Sequence, residues 1–149
     1  MLKITTSCTI VLLLVAVLVE WLVEQKTQHH IIAEKYIGTC VSVEFSGADA
    51  FQSTNKTAII FKCEGFHGSI KALFIISGDK IEKLQLLKSN EGIDKSVLEN
   101  RHFLKSFQRN IEDLPMDVDA ITGATISSQI VIDEMNRHIK EWNKKNDGY

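Results

Sequence analysis

The chain has 149 residues, a formal net charge of -2 and three cysteines. This length suits one domain rather than two, and the near-neutral charge argues against a nucleic-acid-binding protein, which usually carries a basic surplus. Three cysteines without CxxC spacing exclude a disulfide scaffold and a typical zinc site.

The N-terminal segment differs in composition from the rest of the chain. Residues Ile4 to Val23 form a largely apolar run that is interrupted by Glu20. A helix of about 20 residues reaches about 30 Å, the thickness of a bilayer core, and Trp21 suits the aromatic belt at its surface. We therefore predict a transmembrane anchor over residues 1–24. A cleaved signal peptide is the less favoured alternative, since no small-x-small site follows the run.

The charges that flank the predicted anchor indicate its orientation. Lys3 and the α-amino group precede the span, whereas Glu20 and Glu24 lie at its other end. The positive-inside rule then places the N-terminus in the cytoplasm. We therefore expect a single-pass protein of the cell membrane, with everything after Val23 outside the cytoplasm.

A predicted helical connector over residues 25–38 leads into a domain over residues 39–149. Alternation of apolar residues in some segments, and one run that is apolar on both faces, predict strands joined as an antiparallel meander. The predicted strands are Thr39–Phe45, Thr57–Cys63, Ile70–Ile76 and Lys80–Leu87.

Two helices are predicted after the strands. Ser96 and Glu99 form a capping box for the first helix, and the second begins near Ile126 and runs toward Lys144. The apolar stripes are Val97, Leu104, Phe107 and Ile111 in the first helix, and Val131, Met135, Ile139 and Trp142 in the second. The predicted class is α+β: an N-terminal transmembrane helix, then an antiparallel sheet packed with helices.

Cys40 and Cys63 lie in the first two predicted strands, and a disulfide is permitted outside the cytoplasm. If these strands are neighbours, the register that gives both an apolar face places Cys63 with the core residues and Cys40 on the opposite face. We therefore predict that the two thiols are not bridged.

The segment Asp119–Ser128 is a small-residue turn that leads into a helix N-terminus. Gly123 and Ala124 permit close approach of a ligand to the backbone, and the free N–H groups of the first turn attract an anion. Hydroxyl groups are supplied by Thr122, Thr125, Ser127 and Ser128. These features fit a phosphate site, although a helix cap is the commoner use of such residues.

The stretch Asp119–Thr125 resembles the flavinylation motif of the FMN-binding domain family, which includes the G subunit of Rnf electron-transport complexes and the C subunit of the sodium-pumping NADH:quinone reductase. In that family the last threonine of Ser/Thr-Gly-Ala-Thr carries FMN through a phosphoester bond, made by a flavin transferase of the ApbE type from FAD. The resemblance implies that Thr125 carries the flavin and that Asp119 belongs to the pattern recognised by the transferase. The remaining residues implied at the cofactor are Thr122, Gly123, Ala124, Ile126 and Ser127.

A second stretch carries the same resemblance. Gly65–Ile70 is similar to the family's Gly-aromatic-x-Gly-x-Ile strand opening, and Gly78–Ile81 to its following turn. The family's Glu-Thr-Pro-Gly loop, close to the flavin ring, is matched here at Glu91 alone, because the loop lacks the threonine and the proline.

The resemblance implies a membrane-anchored electron-transfer flavoprotein with covalent FMN, acting as a subunit or carrier of an Rnf-like membrane system. Its implied partners are the membrane, the ApbE-type transferase and redox proteins of a membrane complex. Two alternatives remain: a flavin module that donates electrons to a partner reductase, and an anchored binding module without cofactor.

The sequence offers no catalytic constellation of the Ser-His-Asp or Cys-His type. We therefore expect an electron-transfer subunit rather than a complete enzyme. The histidines lack metal-ligand spacing and are expected at the surface or at helix caps: His29, His30, His67, His102 and His138.

Overall fold

The computed structural model describes residues 2–90, 98–111, 115, 118, 120 and 125–146, with side chains from Ile10 onward. Its elements are α1 (Leu2–Ile37), β1 (Val41–Val43), β2 (Asp49–Gln52), β3 (Lys56–Glu64), β4 (Ser69–Ser77), β5 (Lys80–Ser89), α2 (Arg101–Ser106) and α3 (Thr125–Asn146).

The strands form one antiparallel sheet in the order β1-β2-β3-β4-β5, which confirms the predicted meander. β4 lies between β3 and β5 and is buried on both faces, as its continuous apolar run predicts. The tight turn before β5 uses Gly78 at a φ of 56°, a left-handed conformation that glycine adopts without strain.

The first two alternating segments, which the cysteine argument assumed to be neighbours, do not pair with each other. β2 is inserted between β1 and β3, and it pairs with both. This strand has four residues, of which only Ala50 and Phe51 are buried, so it is too short to give a periodic pattern. β1 is correspondingly shorter than the predicted Thr39–Phe45.

One face of the sheet packs against α3 and forms the larger core. Alternate residues of β3 and β4 point to this side, where the apolar stripe of α3 covers them. The buried residues include Ile59, Phe61, Cys63, Ile70, Ala72, Phe74 and Ile76 from the strands, and Val131, Met135 and Ile139 from the helix. The predicted second helix and its stripe are therefore confirmed.

The other face of the sheet packs against the C-terminal part of α1. Ala33 and Ile37 are buried there against Ile60, Leu73 and Ile75. The predicted connector is thus helical, continuous with the N-terminal segment, and packed on the sheet. The sheet therefore lies between α1 on one face and α3 on the other.

The apolar N-terminal part of α1 extends away from these contacts. From Ile10 to Val23 its large apolar side chains are exposed. Over the residues that the structure describes, no helix is long and apolar enough to cross a membrane. The predicted span begins at Ile4, and the side chains of residues 4–9 lie outside the described part of the chain.

The first predicted helix is shorter than the apolar spacing indicates. α2 ends at Ser106, and Phe107 and Ile111 are buried beyond it in irregular backbone. The side chain of Asn100 caps α2 by accepting the N–H of His102 at 2.8 Å. The predicted capping residue Ser96 lies outside the described residues.

Cys40 and Cys63 are both buried and are not disulfide-bonded to each other, as predicted. The two thiols lie on opposite sides of the sheet, as expected, although their segments are not neighbours. Cys40 lies in the cluster between α1 and the sheet, whereas Cys63 faces α3, and β2 separates their segments.

Candidate functional site

The turn between β3 and β4 presents an exposed aromatic side chain. Its hydrogen bond from Gly65 N–H to the Gly68 carbonyl, at 2.7 Å, closes the turn. Phe66 is 61% exposed, and the ring of His67 meets it edge to face with centroids 4.6 Å apart. A large exposed aromatic ring in a short, hydrogen-bonded turn is a ready contact for a flat ligand.

The same turn packs tightly on the end of β5. A Cβ atom at Gly68 would lie 3.1 Å from Cβ and 3.2 Å from the carbonyl oxygen of Asn90. Asn90 N–H also donates to the Ser69 carbonyl at 3.0 Å. A side chain at position 68 would therefore force Asn90 to shift by a few tenths of an ångström. The turn lies beside the position where the chain leaves β5.

The N-terminus of α3 presents its first two side chains to solvent. Thr125 is the first helical residue and is exposed, and Ile126 is 54% exposed. Ser127 and Ser128 are buried, and the Ser128 hydroxyl donates to the Thr125 carbonyl at 3.1 Å. The first turn is thus fixed from inside, with one hydroxyl-bearing side chain on its outer surface.

A hydrogen bond joins these two parts of the chain. The backbone N–H of Phe66 donates to Ser127 Oγ at 3.2 Å. The β3–β4 turn therefore lies against the first turn of α3, and the exposed side chains of Phe66 and Ile126 belong to neighbouring elements. The stretch Gly65–Ile70 therefore lies beside the helix that begins at Thr125, the last residue of the other stretch.

The predicted site residues divide into two groups. Thr125, Ile126 and Ser127 lie at the start of α3. The others fall outside the described residues: Glu91, Asp119, Thr122, Gly123 and Ala124. Val118, which directly precedes the motif, is buried in the core that faces α3, so the chain is anchored just before the motif.

Phe66 was not among the predicted site residues. It stood out only as the aromatic position of a strand opening, between Gly65 and Gly68. Its partner Ser127 was expected at the cofactor, and it bonds to the Phe66 backbone as well.

This arrangement fits a ligand with a phosphate at one end and a flat ring system at the other. The first N–H groups of a helix of 22 residues favour an anion, and Thr125 supplies a hydroxyl at the same end. The exposed Phe66 and Ile126 offer apolar surface for the ring. The residues present are therefore compatible with FMN.

The inner face of α3 carries a buried histidine, which corrects the surface position expected for His138. Its ring packs on Phe61, with centroids 5.3 Å apart. Glu134 Oε2 lies 3.5 Å from Nε2, and Glu141 Oε2 lies 3.8 Å from Nδ1. Burial, and then the neighbouring Arg137, hold the pKa of His138 below its ordinary value of 6.5, although the two glutamates oppose this.

His29 is also buried, again contrary to the surface position that was expected. It lies under the opposite face of the sheet, with Nδ1 2.5 Å from Asp49 Oδ2. Among the side chains described, no group of three or more His, Cys, Asp or Glu residues could hold a metal ion.

Comparison with known proteins identifies the domain. The family model described as FMN-binding domain matches residues 65–140, just over half of the chain. The matched region begins at the turn that carries Phe66 and includes the N-terminus of α3, so it supports FMN as the ligand and flavin-dependent electron transfer as the role. A search of curated proteins found no significant match. The chain belongs to the FMN-binding domain family.

Proposed function

We propose that the protein is a membrane-anchored electron-transfer flavoprotein that carries FMN covalently on Thr125, as a subunit or carrier of an Rnf-like membrane system. The observation that carries this proposal is the hydrogen bond from Phe66 N–H to Ser127 Oγ. It holds the turn of the Gly65–Ile70 stretch against the first turn of α3, which begins at Thr125, and so sets a hydroxyl-bearing helix N-terminus beside an exposed aromatic ring.

The phosphate end of the cofactor is assigned to the first turn of α3. Thr125 is exposed, so a flavin transferase of the ApbE type can reach its hydroxyl. In the attachment reaction the Thr125 oxygen forms a bond to the FMN phosphorus of FAD, the bond to the AMP half breaks, and AMP leaves with the hydroxyl proton transferred to the medium. The helix N-terminus then stabilises the remaining phosphate charge.

The ring end of the cofactor is assigned to the surface formed by Phe66 and Ile126. Both side chains are more than half exposed, so a bound ring buries apolar area on one side and keeps an edge open to partners. When bound, FMN supplies one- and two-electron transfer. The chain supplies position, apolar contact and the charge environment.

The membrane anchor is assigned to Ile4–Val23, with the N-terminus in the cytoplasm and the flavin domain outside. From Ile10 onward the large apolar side chains of this segment are exposed around the helix, and a continuous exposed apolar surface of this kind marks contact with a membrane or a protein. A covalent bond suits this location, because a dissociated cofactor would be diluted outside the cell.

The test is intact-mass measurement of the full chain, co-expressed with an ApbE-type transferase and purified in detergent. We expect a mass increase of one FMN less one water, absent from protein made without the transferase. Protein that keeps its unmodified mass in both preparations would overturn the covalent assignment. A colourless protein that also fails to bind added FMN would support a binding module without cofactor.

A further inference from the structure

Three lysines form a row across three strands on the α1 side of the sheet. Lys62 of β3 is directly opposite Lys71 of β4, and Lys71 is directly opposite Lys88 of β5. Directly opposed side chains in neighbouring antiparallel strands lie about 4.5–5.5 Å apart at Cβ, and like charges in such positions repel. An anion bound across the row would remove this repulsion.

The row borders an open cavity of about 530 Å³ between the sheet and α1. From the helix, Trp21, Gln25 and His29 line the cavity, at successive intervals of four residues. Glu20 and Glu24 do not line the cavity. Asp49 is the one carboxylate among the described lining residues, and it is hydrogen-bonded to His29. The cavity is large enough for a phosphate diester with its attached polar group.

The central lysine is held in position by a chain of polar contacts. Lys71 Nζ lies 3.0 Å from His29 Nε2, and His29 Nδ1 lies 2.5 Å from Asp49 Oδ2. Because a lysine ammonium can only donate, Nε2 accepts and the proton resides on Nδ1, which donates to Asp49. A half-buried lysine ordered in this way loses little side-chain entropy when it binds an anion.

The flanking lysines are more exposed. Lys62 pairs with Glu64 at 2.8 Å, with both side chains more than half exposed, a pair of little energetic weight. Lys88 is exposed and forms no ion pair with another described residue. Both ammonium groups are therefore available to a ligand at little cost.

The cavity lies where the exposed apolar part of α1 ends. The large apolar side chains are exposed up to Val23, and Trp21, which lines the cavity, is a residue type that concentrates at the membrane–water interface. We propose that Lys62, Lys71 and Lys88 bind the phosphate of an anionic phospholipid headgroup. The position of the three lysines at the membrane surface rests on the proposed anchor, whereas their positive charge does not.

This site would also orient the flavin domain. Lys62 and Lys71 lie on the two strands that are joined by the turn carrying Phe66. A lipid headgroup held by these lysines therefore places the end of the sheet with the candidate flavin site toward the membrane surface.

The test is native mass spectrometry of the full chain in detergent with equal amounts of phosphatidylglycerol and phosphatidylcholine. We expect the anionic lipid to be retained preferentially. Lys88→Gln should reduce the preference about fivefold, because one lysine near an anionic surface contributes about 1 kcal/mol, and the triple variant Lys62→Gln/Lys71→Gln/Lys88→Gln should abolish it.

The matched control removes the same charge from exposed lysines elsewhere. The triple variant Lys80→Gln/Lys105→Gln/Lys140→Gln should keep the wild-type preference. An equal loss in both triple variants, or no preference in the wild type, would overturn the proposal. Displacement of the lipid by millimolar inorganic phosphate would assign the lysines to a free anion instead and overturn the lipid assignment.

Failure of the anchor is detected separately by carbonate extraction of cell membranes. If carbonate releases the chain while the lipid preference depends on the three lysines, the anchor is wrong and the headgroup site stands. If the chain resists extraction without any lipid preference, the anchor stands and the headgroup site is wrong.

Discussion

Phe66 and Ser127 are separated by 61 positions in the chain, yet the amide of the first donates to the hydroxyl of the second. The bond fixes the β3–β4 turn against α3 at the candidate flavin site. Ser127→Ala should lower the free energy of unfolding by about 1 kcal/mol, because a partly buried amide loses its hydroxyl acceptor, and should slow flavin attachment.

The control for this variant is Ser128→Ala. Ser128 is equally buried, but its hydroxyl donates within the same helical turn. Thermal unfolding of the full chain in detergent reports stability, and the rate of mass gain with the transferase reports attachment. Equal attachment rates in the two variants would show that the hydrogen bond between Phe66 and Ser127 does not position the site.

Thr125 is predicted to be the attachment residue. Thr125→Val keeps a similar shape but removes the hydroxyl, so a denaturing gel should show no flavin fluorescence. Thr125→Ser retains a hydroxyl and should retain some fluorescence. Thr122→Val should reduce it less than Thr125→Val, since Thr122 is expected only to line the phosphate. Wild-type fluorescence from Thr125→Val would place the flavin elsewhere.

Phe66 is predicted to cover one side of the flavin ring. Phe66→Ala should change the free energy of unfolding by less than about 0.5 kcal/mol, because the side chain is exposed. It should make the fluorescence of attached flavin more sensitive to quenching by iodide. Val41→Ala, at another exposed apolar position, serves as the control. Identical quenching in all three proteins would remove Phe66 from the site.

His138 should make stability depend on pH. Its pKa is lower in the folded protein than the ordinary 6.5, so the unfolded chain binds the proton more readily. The contribution of the neutral ring is therefore complete above about pH 6.5 and is lost as the pH falls toward the lowered value.

The melting temperature of the full chain in detergent tests this at pH 7.5 and pH 5.5. We expect the melting temperature to fall from pH 7.5 to pH 5.5 for the wild type and for His102→Leu, in which the replaced histidine is exposed. The fall should be smaller for His138→Leu, which places an apolar side chain among the surrounding phenylalanine rings. If His138→Leu kept the pH dependence of the wild type, groups other than His138 would be its cause.

The proposed orientation of the chain in the membrane can be tested by chemical labelling of intact cells. Val41→Cys introduces a thiol at a position that is 65% exposed, and a membrane-impermeant maleimide should label it more strongly than the parent protein. Leu2→Cys, which keeps Lys3, should be labelled only after the cells are broken. The reverse pattern would invert the topology.

Local sequence patterns determined most of the secondary structure. The shared face of Ile59, Phe61 and Cys63 in β3, the continuous apolar run of β4 and the spacing of the apolar stripe in α3 all match the structure, because each pattern reflects burial on one or two faces of an element. The burial of β3 on its other face as well was not indicated by its alternation. β2 escaped prediction because four residues with two buried side chains carry no period. The end of α2 escaped it because Phe107 and Ile111 are buried outside a helix.

The family was likewise readable from the sequence by itself, through the resemblance of Asp119–Thr125 and Gly65–Ile70 to its motifs. Only the tertiary structure brought Phe66 to Ser127 and aligned Lys62, Lys71 and Lys88. The physical reason is that periodicity encodes which face of an element is apolar, whereas strand register and helix docking depend on how all the apolar faces pack together.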